Sequence, residues 1–160
     1  MERRRKMIAA TSPRLTAGDI RDEIIADEGE VLAVYLCPAG HKTCGVGHLV
    51  LRDDPEHDMA LGTVITKARC RELLARDLDT TIAECEKLLP RFAYLPVEAQ
   101  KIVGNMMFNL GKPRLSKFKK AIAAIEAGDW ATAAAEMQDS LWARQLPARS
   151  GRLINRMRAV

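Results

Sequence analysis

No apolar run in this 160-residue chain approaches the roughly 20 residues that a membrane-spanning helix needs. The basic start MERRRKMIAATSP has no apolar h-region behind it. The first absence argues against a helical membrane anchor. The second predicts synthesis as a soluble cytosolic protein without an export signal, so that a target beyond the membrane would have to be reached with help. Internal repeats and low-complexity tracts are also missing, which argues against solenoids and tandem arrays. Cysteine is scarce, with four residues, Cys37, Cys44, Cys70 and Cys85, and these read as thiols rather than as the disulfide framework of a short secreted chain.

With 48% apolar residues the chain can bury the core of one domain, divisible into two lobes. Its net charge is only +4 but unevenly spread. GKPRLSKFKKAIAAI carries five bases and no acid, and Ser140 to Val160 carries five arginines and no acid. A cationic second half suits a polyanion, whether nucleic acid, an acidic wall polymer or a lipopolysaccharide surface; it is equally the pattern of a solvated helix face.

After a basic tail over 1–17, expected to be flexible, ordered structure is expected from Asp19. Ile20, Ile24 and Ile25 recur at helical spacing, and Gly29 stands where a C-terminal cap would end the helix, making Glu28 its last residue. VLAVYLC and KTCGVGHLV, separated by Pro-Ala-Gly, read as an antiparallel hairpin, followed by the polar loop LRDDPEHDMALG. From Thr66, a good N-cap, apolar positions keep helical spacing to Leu89, where Pro90 stops them; this long helix would join the two lobes. Cys70 and Cys85 lie on it, too far apart to bridge, and read as core. Further helices run from Pro96 to Gly111, from about Ser116 to Gly128, and from Asp129 through Trp130, Ala134, Met137 and Leu141, with short segments on either side of Pro147.

The densest chemistry lies in EGEVLAVYLCPAGHKTCGVGH, residues 28–48. Cys37, His41, Cys44 and His48 spell four competent zinc ligands within 12 residues, as in a zinc knuckle that binds nucleic acid. Strand alternation opposes this, since it sends His41 and Cys44 to opposite faces. In a catalytic reading, Glu28 sits beside apolar side chains at a helix end, where desolvation would favour the neutral carboxylic acid that a glycosidic oxygen needs as proton donor. Taken alone, Glu28 could equally be an ordinary exposed helix-end residue.

The spacing Glu28-x8-Cys37-x5-Thr43, followed by CGVGH, resembles the E-x8-[D or C]-x5-T pattern of the T-even-type phage lysozymes, glycoside hydrolase family twenty-four. VITK at 64–67, GNMMFNLG at 104–111 and GDWATAAAEMQDSLWARQLPARSGRL at 128–153 extend the resemblance to about residues 20–158. It implies a mainly helical α+β lysozyme-like fold: a small hairpin lobe over about 28–66, a connecting helix over about 67–89, and a helical lobe of about 90–160 with helix 18–28.

The resemblance also implies hydrolysis of the β-1,4 bond between N-acetylmuramic acid and N-acetylglucosamine in peptidoglycan. Glu28 matches the general acid, Cys37 the group that orients or activates water, and Thr43 the hydroxyl that holds it. Arg149 matches an arginine paired with that acid, His48 and Asp77 match a structural ion pair, and Asn109 and Gln145 match cleft positions. The expected role is an endolysin, monomeric and free of cofactor or metal, that reaches the wall after holin-type release. A virion-associated hydrolase and a transglycosylase forming an anhydro product are alternatives.

Cys37 stands where the T-even enzyme has Asp. A free thiol, with a pKa near 8.5, is mostly uncharged at neutral pH. Its role stays open between water positioner, partial thiolate base and glycosyl nucleophile. Strand alternation predicts that Thr43 shares the cleft face with Glu28 while Cys44 turns into the packing.

Overall fold

A computed structural model describes residues 13–160. Residues 1–12 of the expected basic tail lie outside the described residues. The elements are α1 (Ala17–Glu28), β1 (Val31–Leu36), β2 (Lys42–Gly45), β3 (His48–Leu49), α2 (Lys67–Leu88), α3 (Val97–Leu115), α4 (Lys119–Ala127), α5 (Trp130–Gln138), α6 (Leu141–Gln145) and α7 (Pro147–Arg158), with 3-10 turns at Pro55–Asp58 and Phe92–Tyr94. This is the mainly helical α+β architecture expected of a lysozyme-like fold.

Packed chain begins earlier than the helical spacing suggests. The Asp19 carboxylate accepts from both the backbone N–H and the hydroxyl of Thr16 at 2.7 Å, which closes the first turn of α1 from Ala17. Before it, Leu15 is buried and its N–H donates to the Gln100 side chain at 2.9 Å. At the other end, Gly29 adopts φ 75° and donates its N–H to the Ile25 carbonyl, so α1 stops with Glu28 as its last residue.

The sheet has three antiparallel strands in the order β1-β2-β3, not the two of a single hairpin. KTCGVGHLV is broken because Gly45 and Gly47 both take positive φ and turn the chain back on itself. At Gly45 the backbone also runs close to α2: a Cβ there would stand 3.0 Å from the Cys70 sulfur. The register sets Tyr35 opposite Thr43 and Thr43 opposite Leu49, so these three share one face. Cys44 and His48 form the next row, on the other face, and both are buried.

Helix α2 starts as expected, the Thr66 hydroxyl accepting from the Arg69 N–H at 3.0 Å, and would measure about 33 Å at 1.5 Å per residue. It packs against α1 and α3 and also against β2 and β3. Ile20 and Ile24 of α1, Leu73, Leu74 and Leu78 of α2, Ile102 and Met106 of α3, and Leu153 and Met157 of α7 belong to one continuous core. Cys70 and Cys85 are fully buried in it, and burial pushes the Cys85 thiol up to about 12.

Helical boundaries differ from the sequence reading at several places: α3 kinks at Gly111, with φ 72°, but continues to Leu115, and α4 starts only at Lys119. The helix expected to reach Leu141 ends at Gln138; the Ser140 hydroxyl accepts from the Ala143 N–H and starts α6, leaving Leu141 exposed. After Pro147 comes a 12-residue helix, not a short segment, because proline at its first position is compatible with helix entry.

Candidate active site

Glu28 projects from the end of α1 and is one-quarter exposed. Ile24, one turn earlier, is fully buried, and the Glu28 carboxylate meets a guanidinium. Arg149 of α7 donates from Nη1 to Oε1 of Glu28 at 2.6 Å, so the pairing implied by the resemblance is present across 121 positions of sequence. Among the described residues this is the only hydrogen bond to the Glu28 carboxylate, and it leaves Oε2 unengaged.

Arg149 is in turn held from behind. Its Nε donates to Oδ1 of Asn105 at 2.8 Å, and the Asn105 amide donates to Glu23 at 2.7 Å and Asp27 at 2.9 Å. Arg152 pairs with Asp27, and Arg156 pairs with Glu23 and Glu98. Burial alone would raise the Asp27 carboxyl, but the Asn105 amide and the Arg152 and Arg149 guanidiniums outweigh it and hold the carboxyl below its ordinary value. Sequence reasoning passed over Asn105, although a signal existed: an Asn between Val103 and Met106, on a face otherwise apolar, requires partners.

Cys37 and Thr43 come together at the β1–β2 connection. The Cys37 N–H donates to the His41 carbonyl at 2.9 Å, and the Thr43 hydroxyl donates to the same carbonyl at 3.0 Å. The backbone N–H of His41 is the main cause of a Cys37 thiol held below its ordinary value; burial opposes it, and Ala39, Thr43 and Gly40 reinforce it. The single Thr43 hydroxyl proton can serve either the carbonyl or the thiolate, not both at once. Tyr35, the cross-strand partner of Thr43, has its hydroxyl pushed up first by burial and then by the charges of Cys37, Cys44 and Glu28.

Cys44 takes the opposite face, is fully buried, and burial raises its thiol to about 11. This disposes of the zinc alternative. Cys44 is locked in the core, His48 is held by two carboxylates, and His41 is exposed. Among the described residues no group of three or more His, Cys, Asp or Glu side chains is placed to hold a metal.

His48 bonds Asp77 through Nδ1 at 2.8 Å, the expected pair, and Asp54 through Nε2 at 3.0 Å. Burial alone would lower the imidazolium, but the two carboxylates outweigh it and the net shift is upward. Asp54 also accepts from the Leu51 N–H and from Arg76, which anchors the polar loop onto α2. Read from sequence, that loop showed only polarity.

Asn109 and Gln145 lie on the helical side. Trp142 donates its indole N–H to Asn109 at 2.9 Å and packs edge-on against Phe118. Trp142, Phe118 and Gln145 line a groove of about 760 Å³, together with Arg114, Lys117, Lys119 and Lys120 and with Glu136 and Asp139. Glu28, Cys37 and Thr43 are not among its lining residues. The charge layout thus corrects the expectation of a uniformly cationic second half. Arg149, Arg152 and Arg156 are taken up by acids of α1 and α3, while the exposed positive charge concentrates at 114–120.

Residues 26–159 match the family described as phage lysozyme. The chain belongs to the phage lysozyme family. Similar proteins include the probable T4-type lysozymes 2 and 1 of Dictyostelium discoideum, each 30% identical over 155 residues, covering 85% of this chain and 91% of the relative. The pre-baseplate central spike protein Gp5 of Enterobacteria phage T4 is also 30% identical over 146 residues, covering 79% of this chain but only 25% of the spike protein. As a phage lysozyme, the chain is a glycoside hydrolase of the peptidoglycan-degrading class.

Proposed function

We propose that this phage lysozyme hydrolyses the β-1,4 bond between N-acetylmuramic acid and N-acetylglucosamine, with Glu28 as general acid and Cys37 and Thr43 holding the attacking water. The observation that carries the reading is the pairing of opposites in the site. A carboxyl group is fixed at one oxygen by Arg149, and Cys37 and Thr43 are brought together by bonding one carbonyl, that of His41, at the turn of the sheet.

In this reading the free oxygen of Glu28 gives its proton to the glycosidic oxygen as the bond to the muramic C1 breaks. Water attacks C1 from the far side, as inversion requires. The water proton passes to the Cys37 thiolate, and Thr43 orients the water through its hydroxyl lone pairs. Arg149 fixes the acid, while His48 and Asp77 brace the sheet that carries Cys37 and Thr43. Asn109 and Gln145 contact the bound chain from the helical side.

Product analysis tests the chemistry. Purified peptidoglycan should yield hydrated reducing ends; anhydro products would make the protein a transglycosylase. For the thiol, Cys37→Ala should be strongly impaired and Cys37→Asp should retain activity in the turbidity assay on outer-membrane-permeabilised cells. Mild oxidation of the wild type should mimic Cys37→Ala. Full activity in Cys37→Ala would reduce the thiol to packing.

The biological role we propose is host lysis by an endolysin acting as a monomer on the wall in the periplasm, after holin-type release from the cytoplasm. Among the described residues no helix is long and apolar enough to cross a membrane. The exposed bases at 114–120 would concentrate the enzyme on anionic wall polymers rather than on a specific nucleic acid. Lytic activity should accordingly fall as salt rises from low ionic strength, and Lys117→Gln with Lys119→Gln should flatten that dependence. A virion-associated role is the second reading, favoured by the similarity to a central spike protein. Its presence in purified particles, rather than free in the lysate, would decide for it.

A further inference from the structure

Three acids of α1, Glu23, Asp27 and Glu28, lie within reach of the arginines of α7, and the shortest pairs are Arg149 with Glu28, Arg152 with Asp27 and Arg156 with Glu23. Arg149 could satisfy itself with Asp27 alone, whose Oδ2 lies 3.4 Å from its Nε. Asn105, fully buried on α3, bonds both of them. Its amide donates to both Glu23 and Asp27, its Oδ1 accepts Nε of Arg149 at 2.8 Å, and its backbone carbonyl lies 3.5 Å from Nη2. With Nε and Nη2 so directed, the planar guanidinium has its Nη1 edge aimed at Glu28, at 2.6 Å.

We propose that Asn105 is a positioning residue for the reaction: it acts through Arg149 to set the direction of the Glu28 carboxyl. The role rests on the reading of Glu28 as the general acid. It needs an amide, because only a neutral group that both donates and accepts can sit between two carboxylates and a guanidinium without adding charge. An aspartate at this place would set a third carboxylate against Glu23 and Asp27. An alanine would free Arg149 to turn toward Asp27 and release Glu28.

The test measures kcat and KM on peptidoglycan fragments together with Tm. Asn105→Ala should lower kcat by about 10- to 100-fold, the scale of a small misalignment of a reacting group, with KM within about twofold. Arg156→Ala breaks bonds of the same network to Glu23 and Glu98, and should lower Tm while leaving kcat at the wild-type value. In a double-mutant cycle, Asn105→Ala should cost no further kcat once Arg149 is alanine, since the two residues act as one unit. Should Asn105→Ala not fold, Asn105→Ser, too short to reach all three partners, replaces it in the same cycle.

Wild-type kcat in the Asn105 variant, or losses that multiply in the double variant, would overturn the proposal. Glu28→Gln run alongside keeps the two readings apart. An active Glu28→Gln sinks the acid assignment itself. An inactive one beside a fully active Asn105 variant sinks only the positioning role.

Discussion

Glu28→Gln is expected to abolish lysis of permeabilised cells while leaving the fold intact. The substitution keeps the shape of the side chain and an amide oxygen that can still accept from Arg149, whose Nη1 lies 2.6 Å from Oε1 in the wild type. What it removes is the ionisable proton. A glycosidic oxygen is a poor leaving group until protonated, and a positioned acid contributes on the order of 10²- to 10⁴-fold to such a step. Loss of a charged partner for Arg149 is a modest perturbation, because that guanidinium retains Asn105 and a nearby Asp27. The measurement is turbidity decay, with circular dichroism and Tm as fold controls. Wild-type clearing by a folded Glu28→Gln variant would end the acid assignment.

The second large effect concerns stability. His48→Ala should destabilise the protein by about 1–3 kcal/mol in mildly acidic solution, the scale of losing buried hydrogen bonds to charged groups. His48 and Asp54 are both nearly inaccessible, and the substitution removes the imidazole that bonds both Asp54 and Asp77, leaving Asp54 its bonds to the Leu51 N–H and Arg76.

The pH dependence has a definite sign. The folded-state pKa of His48 is raised, so its contribution is full below the unfolded value of about 6.5 and is lost as pH rises through the folded value. For Asp54, burial acts upward, but His48, the Leu51 N–H and Arg76 bring its folded value below the ordinary carboxyl range. Its contribution is therefore present above about pH 3.9 and lost as pH falls. The Tm difference between wild type and His48→Ala should be largest between roughly pH 4 and 6.5 and should shrink on the alkaline side. A difference independent of pH would show that His48 acts by packing alone.

The sequence by itself determined those features that depend on a few neighbouring residues. Thr66 at the start of α2, Asp129 at the start of α5, Gly29 after Glu28 and Gly128 after α4 are caps whose partners lie within a turn of helix. The period of two along a strand is enough to send Thr43 and Cys44 to opposite faces, and the spacing of Glu28, Cys37 and Thr43 carries the family resemblance. Local sterics are complete within such windows, so they can be read from the text.

Tertiary structure alone decided which distant groups meet. Asp54 completes the His48 site only because its loop folds back onto α2, and Asn105 meets Arg149 only because α1, α3 and α7 converge at one end of the core. The same convergence decided that three arginines counted toward a cationic surface are in fact neutralised by α1 and α3, and that the Glu28 carboxylate meets a guanidinium. A charge is legible in one residue. Its partner depends on how helices far apart in sequence pack, and that packing is governed by burial of the whole core, which no short window contains.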